Sequence, residues 1–259
     1  MKTLRFLNVV AMISTLIVNA LSQIVPFNNQ TSAQIANSFD NNYFLPANYV
    51  FGIWSLIYVG LIAFAFYQAR QERPVVSSFG GWFIASGVFN CVWLFCFHWN
   101  LFALSMIPMV LLLVSLIVMY RKLRTSTTGV TVTNADRIFV GAPISIYLGW
   151  ITVATIANAT YVLLDAQWSG FGISYEMWGA IMIVVGGLIG GAFAFIHRDA
   201  IYAGVIVWAF AGIVARHPDV TVVALSAGIL AVGVGLIGIF GIVSWLGSRG
   251  STPLQRGAA

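Results

Sequence analysis

Three short runs carry the side chains best suited to hold a ligand. Phe51, Trp54 and Tyr58 share one face at helical spacing, as do Ser86, Asn90, Trp93 and Phe97, and again Trp150, Ala154, Asn158 and Tyr161. Large flat rings beside small residues and a few amides describe a mostly apolar cavity with orienting hydrogen bonds, the usual make-up of a small-molecule site. The same residues have a plainer use, since asparagines in apolar helices glue neighbours together and rings fill a core. Spacing alone leaves both readings open.

Other chemistry is sparse. His98 ends an apolar run and has an imidazole able to ligate the metal of a haem or chlorophyll, although a lone histidine at a helix end is more often an interfacial residue. His197 and His217 lie in short loops beside Arg198 and Arg216. Cys91 and Cys96 sit five apart in an apolar run, a spacing that makes neither a disulfide framework nor a metal knuckle. There is no phosphate loop, no His-Glu-x-x-His and no Gly-x-Ser-x-Gly. With no acid, base or nucleophile constellation, the chain does not read as an enzyme, and no cofactor is called for.

The elements that position these residues follow from composition. The 259 residues include 12 basic and 7 acidic side chains, where a soluble domain of this length carries about 65 charges. Hydrophobic residues make up 60% and the mean hydropathy is +0.93. A water-soluble fold, a disordered chain and a nucleic-acid reader are all excluded. The chain reads as an all-α, polytopic membrane bundle with membrane lipid as its surroundings. Eight apolar stretches approach the roughly 17 to 25 residues needed to cross a bilayer: 6–25, 46–69, 80–99, 101–120, 138–164, 177–196, 200–215 and 220–246.

Charge tests that count. With the N-terminus in the cytoplasm, Lys2, Arg5, Arg70, Arg73, Arg121, Lys122, Arg124, Arg137, Arg198, Arg249 and Arg256 all fall on the cytoplasmic side, and Arg216 alone falls outside. That bias is what the positive-inside rule expects of eight transmembrane helices with both termini cytoplasmic, in a multi-pass protein of the cell (inner) membrane. The first stretch also resembles a signal peptide, with a cleavage site conceivable at residues 20–22. Its stripe of Asn8, Ala11, Thr15, Asn19 and Ser22 favours a packed helix instead. All seven acids (Asp40, Glu72, Asp136, Asp165, Glu176, Asp199 and Asp219) lie in loops or at span ends. Ion-coupled transport, which places an ionisable group near the midplane, is thereby disfavoured.

Depth brings the aromatic faces together. At about 1.5 Å per residue, Trp54 lies about 12 Å and Tyr58 about 18 Å below the outer surface, Trp93 about 9 Å and Asn90 about 13 Å, Asn158 about 9 Å and Trp150 about 21 Å. Trp82, Trp99, Trp168, Trp178 and Trp245 sit at span ends, where an amphipathic ring meets the headgroups. In the last third, Gly186-Gly187, Gly190-Gly191 and the series Ala227, Ala231, Gly235 form small-residue faces, suited to packing within the bundle or to an oligomer contact.

The run Phe44-Leu45-Pro46-Ala47-Asn48-Tyr49-Val50-Phe51-Gly52-Ile53-Trp54-Ser55-Leu56-Ile57-Tyr58 resembles the second-helix signature of the translocator protein family, the tryptophan-rich sensory proteins or peripheral benzodiazepine receptors. That pattern runs Pro-Pro-x-Trp-x-Phe-x-Pro-x-Trp and ends in Leu-Tyr. Asn90-Cys91-Val92-Trp93 with Phe97 resembles the third-helix motif Asn-x-x-Trp-x-x-x-Phe-Phe. Tyr147-Leu148-Gly149-Trp150, with Ala154 and Asn158, resembles the fifth-helix motif. The resemblance covers residues 1–164 and implies a five-helix bundle whose cavity opens toward the first loop. It also implies a porphyrin or other tetrapyrrole, or a related hydrophobic small molecule, as ligand, with Trp54 and Trp150 matching tryptophans linked to porphyrin binding. Residues 165–259 add three helices, as in an extended branch of the family.

The departures are specific. Ala47 stands for the second Pro, Tyr49 for the next Trp, and the Pro before Trp54 is absent. His98 stands for the second Phe of the third-helix motif, and the Pro expected before Tyr147 is found only at Pro143. A sterol-type motif would need Lys or Arg after Tyr161, where the chain has Leu163, Leu164 and Asp165.

Tyr49, Phe51, Trp54, Tyr58, Asn90, Trp93, Phe97, Trp150, Ala154 and Asn158 are therefore the expected ligand residues, for sensing or transport. Loop 26–45, free of Lys and Arg and carrying Asn28, Asn29, Gln30 and Gln34, is the expected lid. The alternative is an accessory subunit that docks through the Gly-rich last three helices, in a homodimer or a larger membrane complex.

Overall fold

A computed structural model describes residues 2–70, 72–125 and 132–250, the side chains of 247–250 excepted. Among the described residues there are helices and turns but no strands. Six helical stretches are long and apolar enough to cross a membrane: Lys2–Ile24, Asn48–Arg70, Phe102–Thr125, Asn134–Asp165, Tyr175–His197 and Thr221–Leu246. Trp82–His98 and Ala200–Arg216 are apolar but shorter, at 17 residues each. Seventeen residues rise about 26 Å, at the lower limit for a span.

The elements are α1 (Lys2–Ile24), α2 (Ser32–Ala36), α3 (Ile53–Arg70), α4 (Pro74–Ser77), α5 (Trp82–His98), α6 (Phe102–Thr125), α7 (Asn134–Asp136), α8 (Ala142–Asp165), α9 (Tyr175–His197), α10 (Ala200–Arg216) and α11 (Thr221–Gly250). Short connections make chain neighbours antiparallel. Lys2, Arg5, Arg70, Arg73, Arg121, Lys122, Arg124, Arg137 and Arg198 consequently gather at one end of the bundle, called here the basic end. Arg216 lies at the other, called the aromatic end. The side chain of Arg249 and all of Arg256 lie outside the described residues.

Polar and small side chains set the helix contacts. The buried face of α1 is Asn8, Met12, Thr15, Asn19 and Ser22, so the polar stripe faces protein and the aliphatic remainder faces outward. At the basic end α3, α5, α6 and α8 meet through Leu61, Phe64, Phe83, Leu116, Met119 and Ile144, which leave a gap of only about 10 Å³. Asp199 ties α10 to this bundle. Its Oδ2 accepts from Tyr120 Oη (2.8 Å) and Ser145 Oγ (2.7 Å), while Oδ1 caps α10 at Ile201 and Tyr202.

The small-residue faces are used inside the chain. Cβ atoms added at Gly186, Gly187 and Gly190 would press on Ile156, Leu230 and Ile206. Gly191 faces Val234 and Ile237, and Ala227 is fully buried. This is the close approach that small residues permit between helices in lipid. Gly186, Gly187, Gly190, Gly191 and Ala227 are thus occupied by contacts within the chain.

Candidate functional site

At the aromatic end the same helices part around a cavity of about 480 Å³. From α3 come Trp54, Ser55 and Tyr58, from α5 Trp93, Leu94 and Phe97, and from α8 Trp150, Val153, Ala154, Ala157, Asn158 and Tyr161. Helix α1 adds Leu16, Asn19, Ala20 and Gln23. The loop adds Ser32, Ala33 and Ala36 of α2, and the stretch before α3 adds Leu45, Pro46, Asn48 and Phe51. None of these is Asp, Glu, Lys, Arg, His or Cys.

One wall is a row of four nearly parallel rings. Tyr58 stacks on Trp54 (27°, centroids 5.7 Å apart), Trp54 on Trp93 (21°, 6.4 Å) and Trp93 on Phe97 (26°, 5.3 Å). Trp150 meets Trp54 and Phe51 edge-to-face. Offset-stacked and edge-to-face pairs are the arrangements that the ring quadrupole favours. Rigid groups braced on one another resist collapse into the space beside them, which keeps the cavity open.

Amides fix the floor. Asn19 Nδ2 donates to Asn90 Oδ1 (2.7 Å), Asn90 Nδ2 to Tyr147 Oη (3.0 Å), and Tyr58 Oη to Asn19 Oδ1 (2.9 Å), which joins α1, α3, α5 and α8. Trp93 Nε1 donates to Asn158 Oδ1 (3.1 Å), and Asn158 Nδ2 donates to Ser105 Oγ of α6 (2.9 Å). The Trp150 indole N–H is buried without an acceptor, a condition that costs about 1–3 kcal/mol.

Loop 25–47 covers the top. Asn28 and Asn29 take left-handed φ of 52° and 57°, which asparagine tolerates, and this turns Phe27 onto Phe95, His98 and Trp99. Thr31 and Gln34 form a capping box that starts α2. Ser32 Oγ is hydrogen-bonded to His98 Nε2 (3.0 Å), and Tyr161 Oη donates to the Ala36 carbonyl (3.1 Å). Gln23 Nε2 donates to Ser32 Oγ (3.0 Å), and Asn37 Nδ2 donates to Asn48 Oδ1 (3.0 Å). Ala20, Gln23, Ala33, Asn48 and Ser55 are exposed although they line the cavity, so they mark a mouth between α1 and α3 beneath α2.

Of the ten residues expected from sequence, Phe51, Trp54, Tyr58, Trp93, Phe97, Trp150, Ala154 and Asn158 line this cavity. Asn90 lies beneath its floor as a link between Asn19 and Tyr147. Tyr49 points away, 53% exposed, with its ring edge-on to Trp208 of α10. His98, the weak metal candidate, is fully buried beside loop 25–47, with Ser32 and Phe27 as its ring partners. No group of three His, Cys, Asp or Glu able to share a metal occurs among the described residues. Sequence reasoning missed Gln23, Ser32 and Asn48, and it read Asn19 only as part of a packing stripe. The usable signal was that stripe itself, whose residues continue the helical face toward the loop.

Tyr43 and His217 flank the rim outside the membrane-spanning stretches, their rings 5.3 Å apart. Burial, then the Glu176 carboxylate that accepts its hydrogen bond (3.0 Å), raises the Tyr43 pKa. Burial lowers that of His217 despite its bond to the Leu45 carbonyl, and Arg216 adds to the lowering.

A family model described as TSPO-like protein matches residues 5–240. The match runs through α9, α10 and most of α11. No curated protein and no solved structure matches the chain.

Proposed function

The chain belongs to the TSPO-like protein family and is a multi-pass membrane protein, and on that premise we propose that it binds a flat hydrophobic ligand of the tetrapyrrole class in the cavity among α1, α3, α5 and α8, its ring system inside and any ionised substituent at the mouth. The observation that carries this reading is the row of four stacked rings facing a charge-free space of about 480 Å³. That volume falls within the range of about 300–1,000 Å³ typical of ligand pockets. A planar conjugated ring gains dispersion and quadrupole contacts along such a wall, and the few amides at its edges orient the substituents. The lining holds no His, Cys or Met, and the phenols of its two tyrosines are engaged elsewhere, Tyr58 Oη with Asn19 and Tyr161 Oη with the Ala36 carbonyl, which favours a metal-free macrocycle. The lining also holds no carboxylate, imidazole or thiol, which supports binding over catalysis.

The eight apolar helices then all span, with α5 and α10 crossing where the bilayer is thin and the basic end in the cytoplasm. The mouth between α1 and α3 opens sideways in the outer half, so an apolar ligand partitions from lipid into the cavity, to be sensed or carried.

Protoporphyrin IX titrated into purified protein and followed by tryptophan quenching tests the reading. Replacing both Trp54 and Trp150 by Ala removes two wall faces, and affinity should fall by on the order of a hundredfold, about 3 kcal/mol. A folded double variant that binds as tightly as wild type would sink the assignment.

A further inference from the structure

The rim of the cavity is held from behind by helices that contribute nothing to its lining. Leu45, Pro46, Asn48 and Phe51 face the cavity, while the backbone of the same segment is pinned to α10 and the turn after it. The Ala47 N–H donates to the Gly212 carbonyl (3.0 Å), Trp208 Nε1–H to the Val50 carbonyl (3.1 Å), and His217 Nε2–H to the Leu45 carbonyl (3.2 Å). Val50, fully buried, rests on Gly212, where an added Cβ would collide with Val50 Cγ2 and touch Pro46 Cβ at 3.1 Å. Only a residue without a side chain lets the two backbones come this close.

Position 47 is telling. A proline there has no N–H to give, and its ring would occupy the place where the Gly212 carbonyl sits. Ala47, found where the translocator motif has its second proline, and Gly212 are thus two parts of one contact. Tyr49, the neighbouring departure, packs on Trp208.

We propose that α10 is the positioning element of the ligand cavity: Trp208, Gly212 and His217 hold segment 45–50 in place, and through it the C-terminal helices set how long a ligand stays. This rests on the reading of the cavity as a ligand site. Asn48 of this segment borders the mouth, so freeing the segment widens the exit, and the effect falls on the dissociation rate more than on entry.

Two measurements on the full chain test this: hydrogen exchange of the 45–51 stretch without ligand, and dissociation of protoporphyrin IX. Ala47→Pro and Trp208→Phe each remove one bond. Trp208→Phe should speed exchange and dissociation by about three- to tenfold, the worth of one hydrogen bond, and Ala47→Pro by at least as much, since its ring also displaces the Gly212 carbonyl. Gly187→Ala, which presses on Leu230 between α9 and α11, should lower thermal stability while leaving both rates unchanged. Unchanged exchange in Ala47→Pro and Trp208→Phe overturns the brace. Faster exchange with unchanged dissociation overturns the control of residence. If wild type does not bind protoporphyrin IX, the reading of the cavity fails instead, which unchanged exchange would not signify.

Discussion

The two ends of the α3–α5–α8 bundle are built from the same helices yet pack in opposite ways. At the basic end Leu61, Phe64, Phe83, Leu116 and Met119 leave a gap of about 10 Å³. At the aromatic end Trp54, Trp93, Trp150 and Phe97 leave about 480 Å³. Hydrophobicity does not separate them, since both ends are apolar. Shape and stiffness do. Leu and Met rotate into whatever space the backbone leaves, reaching the close packing of ordinary interiors. Indoles in offset-stacked and edge-to-face contact support one another and cannot bend into the void. The hollow end is also the end tied by amides, through Asn19, Asn90 and Asn158, which hold the helices at a fixed spacing that filling would otherwise set.

Substitutions at the two ends must therefore behave differently. The largest stability effect belongs to the filled end. Phe64→Ala should cost about 3–5 kcal/mol in thermal unfolding and leave protoporphyrin IX affinity of the folded protein unchanged. A middle effect comes from adding bulk. Ala65→Leu, at a buried site of the filled end, should cost about 1–3 kcal/mol through overpacking. Ala154→Leu projects into the cavity, so it should leave stability within about 1 kcal/mol and weaken ligand binding about tenfold or more. Equal stability losses for the two leucines would erase the distinction between the ends.

The smallest effect is expected from pH, at the rim. His217 has a folded-state pKa below its ordinary 6.5, so between that lowered value and about 6.5 the undocked state binds more protons. Its contribution to holding Leu45 is fully present above pH of about 6.5 and is lost as pH falls through the lowered value. Measured against the intrinsic amide rate at each pH, hydrogen-exchange protection around Leu45 should therefore fall from pH 7.5 to 5. His217→Gln, which keeps a donor and does not titrate, should flatten that profile.

Periodicity placed most of the cavity wall, because a helical face is a local property. Phe51, Trp54, Tyr58, Trp150, Ala154 and Asn158 needed only a count of residues along their helices. Tyr49 came instead from a motif position. It lies two residues from Phe51 on the 3₁₀ turn Asn48–Gly52, where a rotation of about 120° per residue sends the two rings to different sides. Asn90 shares the face of Trp93 but sits one turn deeper, beneath the floor, and depth along a helix says nothing of where a void ends. Gln23, Ser32 and Asn48 carry no periodic signal, because the mouth of a cavity exists only where separate segments meet.

What the sequence determined by itself was the solvent and the local faces: 19 charges in 259 residues force apolar helices, and spacing sets which side of each helix is aromatic. Only the tertiary structure decided that those faces enclose a hollow, that α1 and α3 part to form its mouth, and that Gly212 clasps the chain at Ala47. The physical reason is that burial energy depends on area, which composition already counts, whereas a cavity and a clasp depend on the distances between helices far apart in the chain.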